Sequence, residues 1–365
     1  MQGRRFFFIG TEAELIKVFP VMEECRKRKL DYEIIASGQN EIVHSAVFQK
    51  TGCGRRMLRL SREADIKKSA VGLLRWFART YRQARAKIVH AYPDTDFAKS
   101  SMIVHGDTVS TLMGAKIGQD FGMTVCHIEA GLRSHHLLNP FPEEIDRILT
   151  GRLAGVHFAP GKKAAGNLKR AKGKVIDTGH NTLIDSLAYS FTVPAGKKIE
   201  KYLGSSYFVF VMHRQENLAV RSFLENVITH ICGISQNMKC LFVLHEITKN
   251  SLERFHLLPR IRACPNIELL PRTDYFDFMK LLNHAEFVIT DGGSNQEELF
   301  YMGKPCLIMR RTTERREGIG KNAVLFAGRL DAIEEFAASY PEMRQKAVIA
   351  ETPPSMVIAD ELERL

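Results

Sequence analysis

No CxxC pair occurs among the seven cysteines, Cys25, Cys53, Cys126, Cys232, Cys240, Cys264 and Cys306. An odd number of scattered cysteines without metal-ligand spacing argues against a structural zinc site or a disulfide framework. It predicts reduced cytosolic thiols, mostly filling core space. No apolar run approaches the roughly 20 residues of a membrane span. Met1–Gly10 turns polar too quickly for a signal peptide, so a cytoplasmic location is expected. The chain carries no low-complexity tract and no zinc-finger or RNP motif, and no nucleic-acid partner is expected. Tryptophan occurs once, as Trp76.

What is present is globular: 45% hydrophobic and 25% charged residues over 365 positions. That length exceeds one ordinary core and predicts two domains of roughly 150–200 residues each. Lys and Arg number 52 against 41 Asp and Glu, a net charge of +11. A basic excess serves solubility and also suits phosphorylated ligands.

Short apolar runs alternate with longer helical patterns, which predicts an α/β fold with parallel sheets. Strands are expected at Arg5–Gly10, Asp31–Ser37, Ser101–His105, Met123–Ile128, Gly155–Ala159 and Lys174–Asp177. The pattern restarts with Tyr207–Met212, Lys239–Leu244, Ile267–Leu270, Phe287–Thr290 and Pro305–Arg310. A basic helical stretch is expected over Glu63–Ile88, one helix over Leu218–Gln236, and a terminal helical piece over Glu334–Leu365. The expected organisation is two Rossmann-like doubly wound domains, 1–180 and 181–345, facing a central cleft. Residues 346–365 would return to the first domain.

Polar residues collect where strands end, the edge at which open parallel sheets bind ligands. Gly10-Thr11, Asp107, Glu129, His213, His245 and Asp291–Ser294 all occupy such positions. Asp107 reads as an Asx-turn or helix N-cap when taken alone, and as a catalytic acid or base when paired with Glu129 on a neighbouring strand. Pro142 followed by Glu143 and Glu144 looks like a helix start with Pro at N1 and acids in the first turn. Glu144 fits such capping, and Glu143 is better placed to reach substrate. Arg133, in the same polar stretch, is a candidate contact to the substrate.

His213 beside Arg214 reads either as a structural histidine or as a phosphate contact. Gly292, Gly293 and Ser294 open a helix, and this suits a diphosphate, with Glu298 one turn on for ribose hydroxyls. The run Arg310–Glu317, with Arg315 inside it, is either a solvated loop or a phosphate clamp. The basic stretch around Trp76 either faces the core or makes peripheral contact with an acidic membrane.

The motifs SGQN (37–40), HGDT (105–108), HIEAGLRS (127–134), FPEEIDRILTG (141–151), TGHNTLID (178–185), HRQEN (213–217), TDGGSNQEE (290–298), GKP (303–305) and TTERREG (312–318) occur in order. Together they resemble the non-hydrolysing UDP-N-acetylglucosamine 2-epimerases. The resemblance implies a glycosyltransferase-B (GT-B) type fold acting on a UDP-sugar without a metal or redox cofactor. It also implies a homodimer and a role in surface polysaccharide synthesis. It implies that Asp107, Glu129 and Glu143 are the acid–base group, assisted by His213, with Lys17 as a further cation. Ser294, Glu298 and Arg214 would hold UDP.

Three loops depart from the family pattern. GTRPE becomes Gly10-Thr11-Glu12-Ala13-Glu14, DSGG becomes Asp291-Gly292-Gly293-Ser294, and HPRTR becomes His245-Glu246-Ile247-Thr248-Lys249. Glu12 thus replaces a cation, which keeps open a glycosyltransferase, a hydrolysing epimerase and a binding-only regulator as alternatives.

Overall fold

The computed structural model describes residues 3–50, 57–62, 70–134, 142–313 and 315–365. The chain divides into two compact units. The first comprises Met1–Tyr189 with Ala350–Leu365, and the second comprises Ser190–Ile349. The boundaries therefore fall after 189 and 349, where the sequence suggested 180 and 345.

The first unit is built on seven strands: β1 Arg5–Ile9, β2 Tyr32–Ala36, β3 Met57–Arg59, β4 Ser101–His105, β5 Thr124–Ile128, β6 Val156–Ala159 and β7 Lys174–Asp177. Their order is β3-β2-β1-β4-β5-β6-β7, with parallel pairing throughout. Helices on both faces explain why RFFFI and SMIVH read as nearly unbroken apolar runs. The order reverses between β1 and β4, and such a switch opens a crevice at the strands' carboxyl ends.

The second unit repeats the plan with β8 Tyr207–Val211, β9 Lys239–Leu244, β10 Ile267–Pro271, β11 Val288–Thr290, β12 Cys306–Ile308 and β13 Ala323–Leu325. Its order is β10-β9-β8-β11-β12-β13, again parallel, and the switch lies between β8 and β11. The inward faces of β8 and β9 meet the Arg221–Ile234 helix in a core that includes Phe208, Phe210, Phe242 and Ile228.

Several expectations need correction. β3 and β13 are strands the sequence did not signal; each has three residues and is partly exposed, so neither leaves an apolar run. The Leu218–Gln236 helix is two helices, Gln215–Leu218 and Arg221–Ile234. The terminal piece breaks at its prolines, which cannot continue a helix. Ala332–Ser339 belongs to the second unit, whereas Pro354–Arg364 packs on the Glu12–Lys27 helix of the first. There Arg28 pairs with Asp360 at 2.5 Å, and Arg5 donates to the Leu362 carbonyl at 2.8 Å.

Cys232 and Cys264 are joined as a disulfide, with Cα atoms 6.1 Å apart, against the expectation of reduced thiols. Cys25, Cys126, Cys240 and Cys306 are free and buried, and Cys53 lies outside the described residues. Within the basic stretch, the described helix is Ala70–Ala91, and residues 63–69 lie outside the description. Trp76 is 1% exposed and donates its indole N–H to Ser61 Oγ at 2.8 Å, so it is a core residue. Among the described residues, no helix is long and apolar enough to cross a membrane.

Candidate active site

In the first unit the polar residues meet at the carboxyl ends of β1, β4, β5 and β7. Glu129 follows β5 and adopts φ +64°, a left-handed conformation that costs a non-glycine residue about 1 kcal/mol or more. That strain aims its carboxylate into a buried polar nest. Lys17, from the Glu12–Lys27 helix, donates to Glu129 Oε2 at 2.5 Å, and Asn181, from the loop after β7, donates to the same oxygen. His105, at the end of β4, lies 3.7 Å away. Burial dominates His105 and lowers its pKa to about 3, so the ring is neutral. His127 is likewise lowered to about 4, mainly by burial, and its Nε2 lies 2.8 Å from the Gly106 carbonyl.

Asp107 sits in the turn that follows β4. The N-cap of the Val109–Asp120 helix is Thr108, which forms a capping box with Thr111, so capping does not fall to Asp107. Asp107 instead pairs with Arg147 of the Glu143–Leu153 helix. Pro142 is the N-cap of that helix and Glu143 its first residue, one position from the register read in the sequence.

Glu144 makes no cap either. It takes the Arg133 guanidinium at 2.5 Å and the Ser134 N–H at 2.9 Å, and so ties the Glu129–Ser134 turn to the helix. Arg133, expected at substrate, has its Nε engaged in this tether. Glu14, two residues beyond Glu12, is buried and accepts from Gly10 N–H at 2.7 Å and Thr108 Oγ1 at 2.5 Å. Burial raises its pKa to about 7, although those hydrogen bonds oppose the shift.

The second unit gathers His213, Arg214, His245 and the Gly292–Ser294 turn at the carboxyl ends of β8, β9 and β11. Fully buried Asp291 organises them. It accepts the backbone N–H of His213 at 2.9 Å, that of Arg214 at 2.9 Å and the Asn217 amide at 3.0 Å. The His213 ring lies with Nδ1 3.2 Å from Asp291 Oδ1 and stacks on His245 at 4.6 Å. His245 is lowered to about 4 by burial, then by His213 and Arg272.

Gly292 caps the Gly293–Met302 helix. A Cβ there would come within 2.5 Å of Asn295 Oδ1, so this turn admits only glycine without rearrangement. Ser294 is exposed in the first helical turn. Glu298 is buried and accepts from Asn295 at 2.9 Å. Arg315 pairs with buried Glu297 and lies beside Gly293.

The sequence does not single out Asn181 or His105, and it places Asp291 at a strand end and Asp146 in a polar stretch without giving either a role of its own. Asn181 and His105 lie inside motifs already recognised, but only the folded sheet brings them to Glu129. Among the described residues no cluster of His, Cys, Asp and Glu has metal-site geometry.

Two doubly wound parallel sheets, with acids and a buried lysine at one switch point and a glycine-opened helix at the other, define an α/β enzyme of GT-B type. The chain belongs to the UDP-N-acetylglucosamine 2-epimerase family, whose sequence model matches residues 23–347. It is 28% identical over 363 residues to the UDP-N-acetylglucosamine 2-epimerase of Neisseria meningitidis serogroup A, covering 94% of this chain and 93% of that one. It is 27% identical over 333 residues to the Methanocaldococcus jannaschii enzyme of the same name, covering 88% and 87%. Among solved structures, the Neisseria meningitidis enzyme bound to UDP-GlcNAc superposes with TM-score 0.79 at 26% identity, over all of both chains. The Methanocaldococcus jannaschii enzyme in complex with UDP-GlcNAc and UDP gives TM-score 0.79 at 24% identity, also over all of both chains.

Proposed function

We propose that this protein is a non-hydrolysing UDP-sugar 2-epimerase that interconverts UDP-GlcNAc and UDP-ManNAc. The observation that carries the reading is the buried Glu129 carboxylate, held by Lys17 and Asn181 with Asp107 and Glu143 on the same sheet edge.

The C2 hydrogen of a pyranose adjoins no carbonyl and is weakly acidic, so loss of a stabilised leaving group must drive its removal. In the proposed reaction a carboxylate of the first unit takes the C2 proton. The C2–H pair forms the C1–C2 double bond, and the C1–O bond breaks with its electrons passing to UDP. Return of UDP to C1 and of a proton to the opposite face of C2 gives the epimer. Glu129, Asp107 and Glu143 serve the proton transfers. His213 and Arg214, with the Gly293–Met302 helix N-terminus and Ser294, receive the diphosphate, where N–H groups and cations stabilise charge. Glu298 is assigned to the ribose hydroxyls.

Incubation with UDP-GlcNAc in deuterium oxide tests the reading. Deuterium at C2 with UDP-ManNAc formed is expected. Release of free N-acetylmannosamine would assign the hydrolysing outcome instead, and no C2 exchange with any UDP-N-acetylhexosamine would overturn the proposal.

A further inference from the structure

Asp146 is unexplained by the roles above. It lies three residues after Glu143 and one before Arg147, so all three share one face of the Glu143–Leu153 helix. Its side chain is 4% exposed, and among the described residues no hydrogen-bond partner reaches Oδ2. Glu143 Oε2, on the same face, is also buried and has no hydrogen-bond partner among the described residues. An ionised carboxylate left this way is costly, because nothing replaces the water it loses.

Among the described residues, the charged groups around it do not supply a cation. Asp107, from the turn after β4, adds negative charge, as does Glu143, while Arg147 turns its guanidinium to Asp107. On the Val109–Asp120 helix packed alongside, Lys116 and Asp120 pair with each other. His127 of β5 is neutral and engaged at Gly106. Burial first, then Asp107 and Glu143, raise the Asp146 pKa to about 7.

We propose that Asp146 is a positioning residue of the acid–base set: it stands as a neutral carboxylic acid beside Asp107 and Glu143, and its O–H orients the Glu143 carboxylate. Asp107 already has Arg147 as its partner, whereas among the described residues Glu143 Oε2 has none, so Glu143 is the carboxylate that needs a donor. Asp146 keeps its proton through turnover. It supplies direction and removes one negative charge from a site that must admit an anionic substrate. The assignment rests on the epimerase reading.

The test is the pH dependence of C2 exchange in wild type, Asp146→Asn and Asp146→Leu. Wild type should lose rate as pH rises through about 7, where Asp146 loses its proton. The amide of Asp146→Asn remains a donor at every pH. Its rate at about pH 8.5 relative to about pH 6.5 should exceed the wild-type ratio at least about fivefold. Asp146→Leu should lose tenfold or more in kcat, on the order of one hydrogen bond to a charged group, with UDP affinity unchanged.

An Asp146→Asn profile that overlays wild type, or an Asp146→Leu enzyme within about threefold of wild type in kcat, overturns the proposal. A second measurement needs no turnover. Infrared difference spectra of wild type against Asp146→Asn should show one protonated carboxyl stretch that titrates near neutral pH and belongs to wild type alone, apart from the Glu14 stretch common to both. Its absence from the difference overturns the proposal. A wild type that exchanges no C2 proton overturns the epimerase reading, and the infrared titration then decides the state of Asp146.

Discussion

Single residues carry the sharpest contrasts in this molecule, because several are charged, buried and tied to one partner. Lys17 and Glu129 are each under 9% exposed and joined at 2.5 Å, so each is the other's main compensation for lost water. Removing one leaves the other's charge buried. Lys17→Met is expected to lower stability by about 3 kcal/mol in urea unfolding, and adding Glu129→Gln should restore most of it. A double variant no more stable than Lys17→Met would show that the pair is not coupled. Glu129→Gln alone should slow C2 exchange by about 100-fold or more while leaving UDP affinity intact, as for a lost general acid or base.

Asp291 works differently. It meets backbone N–H groups and an amide, so it shapes the His213 turn. Asp291→Ala strands at least two half-buried donors and is expected to cost about 2 kcal/mol and weaken UDP binding tenfold or more. Calorimetric titration with UDP checks the second figure. At this scale the sequence was partly legible. Asp107, Glu129 and His213 stand at strand ends and announce themselves. Asn181, His105 and Asp146 do not, because their meaning depends on what lies across the sheet edge, and no spacing encodes that.

At the scale of elements, the sequence spoke clearly wherever strands are buried on both faces. RFFFI, SMIVH, TVCHI and YFVFV are all core strands and leave apolar runs. The signal failed for Met57–Arg59 and Ala323–Leu325, two three-residue strands at a sheet edge that are only partly buried. It failed again for the cysteines. Cys232 on one helix and Cys264 after another are separated by 32 residues, and spacing alone gave no reason to pair them.

The Glu143–Leu153 helix is the element on which the first unit's site depends, and Glu144 anchors it. Burial opposes the Glu144 charge, but the Ser134 N–H and the Arg133 guanidinium outweigh it, so its pKa lies below the ordinary value. A depressed folded-state pKa gives stability that is present above the unfolded value of about 4.3 and lost as pH falls through the folded value. Glu144→Gln should therefore melt below wild type at neutral pH, and the gap should close on acidification below about pH 4. A gap independent of pH would mean that the tether does not depend on the carboxylate charge.

For the whole molecule, the two units have separate cores, and the single tryptophan belongs to the first. Trp76 fluorescence therefore reports the unfolding of that unit alone. Two opposing sets of buried groups decide how its stability responds to acid. His105 and His127 have folded pKa values of about 3 and about 4. As pH falls below the unfolded value of about 6.5 they take protons only on unfolding, which destabilises the fold. Glu14 and Asp146 have folded values near 7, and Asp185 is also raised by burial. Glu14 and Asp146 hold protons in the fold that the unfolded chain gives up above about pH 4, so their contribution grows as pH falls from about 7, and Asp185 acts in the same direction.

The two sets oppose each other across the interval from about pH 6.5 to about pH 5, and the Trp76 transition of wild type should move little there. Asp146→Asn removes one member of the carboxyl set and leaves both histidines. Its transition should then fall with acidification, by a slope on the order of 1 kcal/mol per pH unit relative to wild type. Parallel curves for the two proteins would show that Asp146 is ionised in the fold over this interval. A wild-type transition that itself drops steeply would show that the histidines prevail over the carboxyls.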